Sequence, residues 1–284
     1  MEISLNNDPN ILNLKLKDLF KKHDLRLKKR LGQNFLVSKS IFNKIINSAE
    51  LVEDDTVVEI GAGLGILTHE ISKLTEKVYA IEIDRKLCSI LSENLAGVKN
   101  VKIIEKNCLQ IDFKSLLSGA SHVKVIGNLP YYIVTPIIFH LFKYISCFKM
   151  LVLMVQKEVA ERIISAPDSK KYSPLSIAVQ LRTVPEIVSR VPSSAFIPQP
   201  KVDSCILKLI VRDRPLINPR DEELFCNVVR KSFTKRRKMI KNSLNIPPEM
   251  FKNINIDCSK RPENLSIEDF GRLADIIYEN KINY

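Results

Sequence analysis

The sequence predicts an α/β protein: a largely parallel sheet of seven strands with helices on both faces, followed by a small all-helical domain. Three observations predict it. Short, nearly uninterrupted apolar runs alternate with helical patterns up to about residue 155, the rhythm of βαβ units whose sheet is covered on both sides. The rhythm then changes to two extended runs joined without a helix, as in an antiparallel edge. After Asp213-Arg214-Pro215 the extended runs stop. These changes divide the chain into a basic arm (1–30), a sheet domain (31–212) and a helical domain (213–284).

Residues 1–30 are polar and then basic, with Lys21, Lys22, Arg26, Lys28, Lys29 and Arg30 opposed only by Asp24. Such an arm suits phosphate contact. In Ser40–Ala49, Ile41, Phe42, Ile45 and Ile46 recur at helical spacing. Strands are expected at Val57–Ile60, Val78–Ile83, Val101–Glu105, Val123–Gly127 and Leu151–Val155, with helices over Ile66–Leu74, Arg85–Leu95 and Pro136–Tyr144 between them. Thr135-Pro136 and Ser173-Pro174 each read as an N-cap followed by Pro in the first turn. The two further strands are Pro185–Val191 and Val202–Val211, separated by the Pro-rich Phe196–Pro200. Asp221-Glu222-Glu223 starts a helix with acids at its positive end, and Arg230-Lys231 lies near its negative end. Ser266–Asp269 reads as the cap of the last helix.

Composition limits the function. The 284 residues are 45% hydrophobic and 27% charged, ordinary for a globular protein. The net charge of +12 is not ordinary and favours a polyanionic partner. Six scattered cysteines (Cys88, Cys108, Cys147, Cys205, Cys226 and Cys258) lack the spacing of a zinc site and read as reduced core thiols. His23, His69, His122 and His140 show no metal spacing either, so no metal is expected. No basic-then-apolar leader opens the chain, and the longest plain apolar run, Met150–Val155, is far below the ~20 residues of a membrane span. A cytoplasmic protein with no membrane partner is expected.

Glu59-Ile60-Gly61-Ala62-Gly63-Leu64-Gly65 follows a strand and opens a helix, the setting in which a Gly-rich loop lets backbone approach a ligand. A dinucleotide site would want a third glycine at position 66, where Ile66 stands. Spacing of this kind, with an acid two residues before the first glycine, suits a ligand that carries a carboxylate and an ammonium but no pyrophosphate. S-adenosylmethionine is such a ligand. Glu82, at the end of the next strand and 21 residues after Gly61, can accept both hydroxyls of a ribose. Asp84 is a rival carboxylate of the same parity. Asn128-Leu129-Pro130-Tyr131 ends the fourth strand, at the sheet edge where ligands bind. An Asn oxygen and a fixed carbonyl there can accept both N–H bonds of an adenine amine, and Tyr131 offers a ring for stacking. Phe196, in its Pro-stiffened loop, could form the other side of a base sandwich; by itself that position reads as core packing.

With Gly32-Gln33-Asn34-Phe35-Leu36, Phe196–Ser204, Phe233-Thr234-Lys235-Arg236-Arg237-Lys238 and Arg261–Leu265 added to these motifs, the sequence resembles the small-subunit ribosomal RNA adenine N6-dimethyltransferases, whose bacterial members confer kasugamycin sensitivity. The resemblance runs from about residue 28 to the C-terminus. It implies a Rossmann-like, seven-stranded S-adenosylmethionine-dependent methyltransferase sheet. The implied reaction places two methyl groups on each of two adjacent adenines near the 3′ end of small-subunit rRNA, in an immature 30S particle, by a monomer. It further implies that Asn34 and Leu36 cover the cofactor, Gly61 approaches its methionine part and Glu82 holds its ribose. Asn128, also expected at the cofactor, and Tyr131 would bind the target adenine, with Phe196 stacked opposite. Asn107 stands where the family usually has Asp beside the cofactor adenine. Arg230, Lys235, Arg236, Arg237 and Lys238 belong to a run of seven cations within twelve residues and read as RNA-phosphate contacts. Two rival readings share the motifs: a large-subunit rRNA methyltransferase of the macrolide-resistance type, and a non-enzymatic nucleic-acid-binding factor. A nicotinamide oxidoreductase is disfavoured by Ile66.

Overall fold

In the computed structural model, residues 19–25, 28, 31–235 and 237–280 are described. The expectations for Arg26, Lys29, Arg30 and Arg236 lie outside those residues. The chain divides into two units, one through Lys157 plus Glu186–Val211, the other Glu158–Pro185 plus the residues from Arg212 onward.

The first unit is built on β2 (Thr56–Ile60), β3 (Lys77–Glu82), β4 (Val101–Glu105), β5 (Val123–Asn128), β6 (Met150–Gln156), β7 (Thr183–Val191, whose first three residues fall in the other unit) and β9 (Ser204–Val211). These form one seven-stranded sheet in the order β4-β3-β2-β5-β6-β9-β7. The first five are mutually parallel and β9 runs antiparallel to β6. The burial pattern explains the composition of each strand. Every residue of central β2 is buried, as are all but the last of β6, so β6 reads as an apolar run up to Gln156 and β2 as an apolar run that carries Thr56 and Glu59. Edge strands β4 and β7 are partly exposed along their length. Helices α1 (Lys39–Ala49), α2 (Ile66–Ser72), α3 (Arg85–Asn94), the short α4 (Phe113–Leu116) and α5 (Val134–Phe142) connect or flank the strands. From β2 the chain steps outward through β3 and β4, then returns to the other side of β2 for β5. That reversal opens a crevice at the carboxyl ends of β2 and β5.

Two local features differ from expectation. A two-stranded ribbon, β1 (Phe35–Leu36) against β8 (Phe196–Ile197), forms, with β8 in the Pro-rich segment expected as a loop. Helix α5 begins after Ile133, not at Thr135. The Ile133 N–H bonds the Pro130 oxygen at 3.1 Å, so the preceding turn winds directly into the helix. Pro136 still fits, because N–H groups in a first helical turn have no intrahelical partner.

The second unit is helical: α6 (Lys157–Ile163, whose first residue ends the preceding unit), α7 (Pro174–Arg182), α8 (Glu222–Thr234), α9 (Ile240–Leu244), α10 (Pro248–Asn253) and α11 (Ile267–Glu279). The caps are those the sequence signals. Ser173 and Ser176 form a capping box at α7. Asp221 accepts the Leu224 N–H at 2.9 Å at α8, and Ser266 and Asp269 cap α11 reciprocally. A single boundary at 212 does not describe this unit. Tyr172, Ile177 and Leu181 are buried in one core with Phe225, Val228, Phe270 and Leu273. The Leu216 N–H bonds the Leu181 oxygen at 2.8 Å, and Asn264 donates to Asp168 at 2.7 Å. Residues 158–185 therefore side with the C-terminal helices because their apolar face is completed there.

Candidate functional site

The crevice is a cleft of about 1200 Å³, open to solvent. It is walled by the strap 31–36, the glycine loop, the ends of β3 and β5, and residues 106–108. Asn34, Leu36, Gly61, Glu82, Asn107, Asn128 and Tyr131 all line it.

The glycine loop needs its glycines. Gly61 has φ +78°, and a Cβ there would lie 3.3 Å from the main-chain oxygen of Asn128. Gly65 has φ +84°, and a Cβ there would lie 2.5 Å from Leu91 of α3. The loop is thus pressed between β5 and α3.

Three acids stand at or beside the loop in different states. Glu82 is 6% exposed. One carboxylate oxygen accepts the Gly63 N–H at 3.0 Å; the other accepts those of Ile83 and Asp84, each at 2.9 Å. Burial raises its pKa against the opposing pull of these N–H groups. Glu59 is 2% exposed and lines the cleft, and its Oε2 has no hydrogen-bond partner among the described residues. Burial pushes its carboxyl up to about 8. Asp84 resolves the rivalry left by strand parity: it does not line the cleft. Its Oδ1 accepts from Lys28 Nζ at 2.8 Å and, as the cap of α3, from the Lys86 N–H at 3.1 Å. Its Oδ2 accepts from Gln33 Nε2 at 2.9 Å. Gln33 Oε1 in turn accepts the Lys28 N–H at 2.8 Å, closing a ring of contacts. Although burial opposes it, the hydrogen bonds from Lys28 and Gln33 leave the Asp84 carboxyl below its ordinary value. Asp84 holds the strap down, and Glu82 faces the cleft.

The strap reaches the opposite wall through Asn34. Its main-chain oxygen accepts from Asn128 Nδ2 at 3.0 Å. That bond commits the donor end of the Asn128 amide and leaves Oδ1 as an open acceptor. The Tyr131 hydroxyl lies 2.5 Å from Ser204 Oγ. Asn107 caps the short turn Cys108–Gln110, its Oδ1 accepting the Leu109 N–H at 3.1 Å. Phe196 is not brought to the cleft. It is 2% exposed, pairs with Leu36 across the β1–β8 ribbon and belongs to the apolar core with Ile41 and Phe42. Phe196 thus lies in core packing in the free chain, and its place opposite the target base stays an expectation of the resemblance.

Sequence reading missed Gln33, Lys28, Ser204 and the state of Glu59. Gln33 and Ser204 lie inside segments already singled out, but their partners are 51 and 73 residues away.

In the helical unit, Arg230, Lys231, Lys235, Arg237 and Lys238 are exposed at the end of α8 and in the turn that follows, and Lys241 is half-buried. Among the described residues no group of three or more acidic, His or Cys side chains could hold a metal, and no helix is long and apolar enough to cross a membrane.

Comparisons agree on the kind of protein these features belong to. A family model described as ribosomal RNA adenine dimethylase matches residues 24–279. The ribosomal RNA small subunit methyltransferase A of Clostridium botulinum (strain Loch Maree / Type A3) is 45% identical over 270 residues, covering 93% of this chain and 98% of that protein. Its counterpart in Clostridium perfringens (strain SM101 / Type A) is 41% identical over 274 residues, covering 94% and 96%. A dimethyladenosine transferase from Plasmodium falciparum superposes with a TM-score of 0.75 at 30% identity, covering 87% of this chain and 98% of that one. The 23S rRNA methyltransferase ErmE superposes at 0.68 and 25% identity, covering 86% and 100%.

Proposed function

The chain belongs to the ribosomal RNA adenine dimethylase family, and from that premise we propose how its residues carry the reaction. It is a methyltransferase that dimethylates adenine in small-subunit ribosomal RNA. We propose S-adenosylmethionine as donor and two adjacent adenines near the 3′ end of that RNA, in an immature 30S particle, as acceptors.

The cleft suits this donor. Glu59 and Glu82 line it, and Lys106 is the one lysine or arginine among its lining residues, so a cationic ligand is favoured over a pyrophosphate. Glu59, which burial keeps largely protonated at neutral pH in the free chain, has an Oε2 without a partner among the described residues and would ionise on meeting an ammonium group. When bound, S-adenosylmethionine supplies a methyl group on a positively charged sulfur. The chain's own contribution is placement. Gly61 lets backbone approach the methionine part, Glu82 accepts from the ribose, and Asn34 and Leu36 form the cover. Asn107 lies beside the adenine; with Oδ1 committed to its cap, it presents its amide N–H₂ there.

The observation that carries the reading is the Asn34–Asn128 hydrogen bond. An adenine amine is a poor nucleophile because its lone pair is shared with the ring. An acceptor fixed at Asn128 Oδ1, with a neighbouring main-chain oxygen, favours the pyramidal amine. The Asn34 carbonyl selects which end of the amide faces the base. No residue need act as a strong base. Tyr131 supplies the stacking ring. Arg230, Lys235, Arg237 and Lys238, with Arg236 from the sequence, are proposed to hold RNA phosphates. One copy of the chain carries every residue given a role, so a monomer is the proposed active form, and the cytoplasm its proposed location.

Asn128→Ala tests the reading. Turnover on immature small subunits should be lost while calorimetry still detects S-adenosylmethionine binding; retained turnover would remove Asn128 from the reaction. The large-subunit alternative has less support, since the small-subunit relatives are 41–45% identical and ErmE 25%.

A further inference from the structure

We propose that Ser204 is a positioning residue for methyl transfer: its buried hydroxyl anchors the Tyr131 phenol and fixes that ring at the cleft before the target base arrives. The proposal rests on the reading that Tyr131 meets the target adenine.

Ser204 opens β9, opposite Gln156 of β6, and is 0% exposed. Its Oγ lies 2.5 Å from the Tyr131 hydroxyl. Tyr131 is the one partner its hydroxyl has among the described residues. The approach to Ser204 is itself fastened. Asp203 accepts the Ser193 N–H at 2.9 Å through its side chain and the Lys157 N–H at 3.0 Å through its main-chain oxygen. At the other end, Tyr131 leaves a turn held by the 3.1 Å bond from the Ile133 N–H to the Pro130 oxygen. The ring is therefore tied at its Cα and at its hydroxyl, by segments 73 residues apart. Burial raises the Tyr131 pKa, so the phenol stays protonated, and either hydroxyl can donate in this bond.

A ring held at both ends needs no ordering when the base docks. Freezing one free side chain at an interface corresponds to roughly a three- to tenfold loss. Since RNA affinity comes mainly from phosphate contacts, that loss should fall on the methylation step.

The test uses the full-length protein in single-turnover methylation of immature small subunits, with variants Ser204→Ala, Tyr131→Phe, the double variant and Tyr131→Ala. S-adenosylmethionine affinity is measured by calorimetry alongside. The expected result is that Ser204→Ala and Tyr131→Phe each slow transfer about three- to tenfold at unchanged cofactor affinity. The double variant should be no slower than either, because both remove one bond. Losses that multiply in the double variant, wild-type rates in the two single variants, or losses that track cofactor affinity would each overturn the proposal. Tyr131→Ala separates the layers. If it is severely slowed while Tyr131→Phe and Ser204→Ala are normal, the ring matters and the anchor does not. If Tyr131→Ala is itself normal, the reading of Tyr131 falls and the anchor with it.

Discussion

Replacing Glu59 by Gln should make the cofactor-free protein more stable at neutral pH. Glu59 is 2% exposed, its Oε2 has no partner among the described residues, and the nearby acid is Glu82. Burial carries its pKa from 4.5 to about 8. A folded-state pKa above the unfolded value means that the folded chain holds the proton more tightly. Stability from this group is therefore complete below about pH 4.5 and falls as pH rises toward 8. At about 1.4 kcal/mol per pH unit the whole span is worth at most about 5 kcal/mol, of which about 2–3 kcal/mol falls between pH 5 and pH 7. For a chain of this size that is a drop in Tm of about 5–10 °C. Glutamine keeps the shape and removes the titration. Thermal melts of both proteins without cofactor, from pH 5 to 8 at constant ionic strength, test this. The curves should coincide near pH 5 and separate by several degrees by pH 7, with the Glu59→Gln variant the more stable. Some slope should persist in the variant, since burial raises Glu82 as well. Parallel curves would refute the reasoning. The same change should weaken S-adenosylmethionine binding, because a bound cation stabilises the Glu59 carboxylate.

Other changes probe the remaining parts. Gly65→Ala should lower stability by about 1–3 kcal/mol in urea unfolding, through φ +84° and the 2.5 Å approach to Leu91; a wild-type midpoint would contradict the tight loop. Asp84→Asn should speed S-adenosylmethionine dissociation in stopped-flow measurements by loosening the hold of residue 84 on Lys28 and Gln33, and so on the strap; an unchanged off-rate would show that the contacts do not hold the cover. Asn107→Asp should tighten S-adenosylmethionine binding about three- to tenfold, by offering the adenine amine a charged acceptor; weaker binding would show that the amide N–H₂ is the better match. Replacing Arg236, Arg237 and Lys238 by Ala should reduce the slope of log affinity for RNA against log salt by about 2, and an unchanged slope would return these residues to a solvated surface.

What the sequence revealed was what repeats locally. Strands β2 and β6 are buried along nearly all their length and so read as largely apolar runs, broken in β2 by Thr56 and Glu59. The glycine loop declared itself because Gly61 and Gly65 occupy backbone space closed to other residues. Glu82 and Asn128 could be picked out because strand ends converge at a parallel sheet's carboxyl edge. What did not show were contacts between distant segments. Asp84 and Glu82 share a parity, and only the fold shows that Lys28 and Gln33 claim Asp84. Beside its proposed hold on the ribose, Glu82 accepts three backbone N–H groups, so Glu82→Ala would loosen the loop as well as the site. Phe196 illustrates the reverse. Its motif suggested stacking, while its apolar neighbours hold it in the core. The helices of 158–185 looked like part of the sheet domain because their partners, Phe225 and Phe270, come much later in the chain.

The central claim is that this cleft dimethylates two neighbouring adenines of small-subunit RNA. The most direct measurement is mass spectrometry of ribosomal RNA after immature 30S particles are incubated with the protein and isotopically labelled S-adenosylmethionine. Two dimethylated adenines are expected in one 3′-terminal fragment of the small-subunit RNA, absent with Asn128→Ala. Label confined to large-subunit RNA, or no label in either RNA from a protein that binds the cofactor, would contradict it.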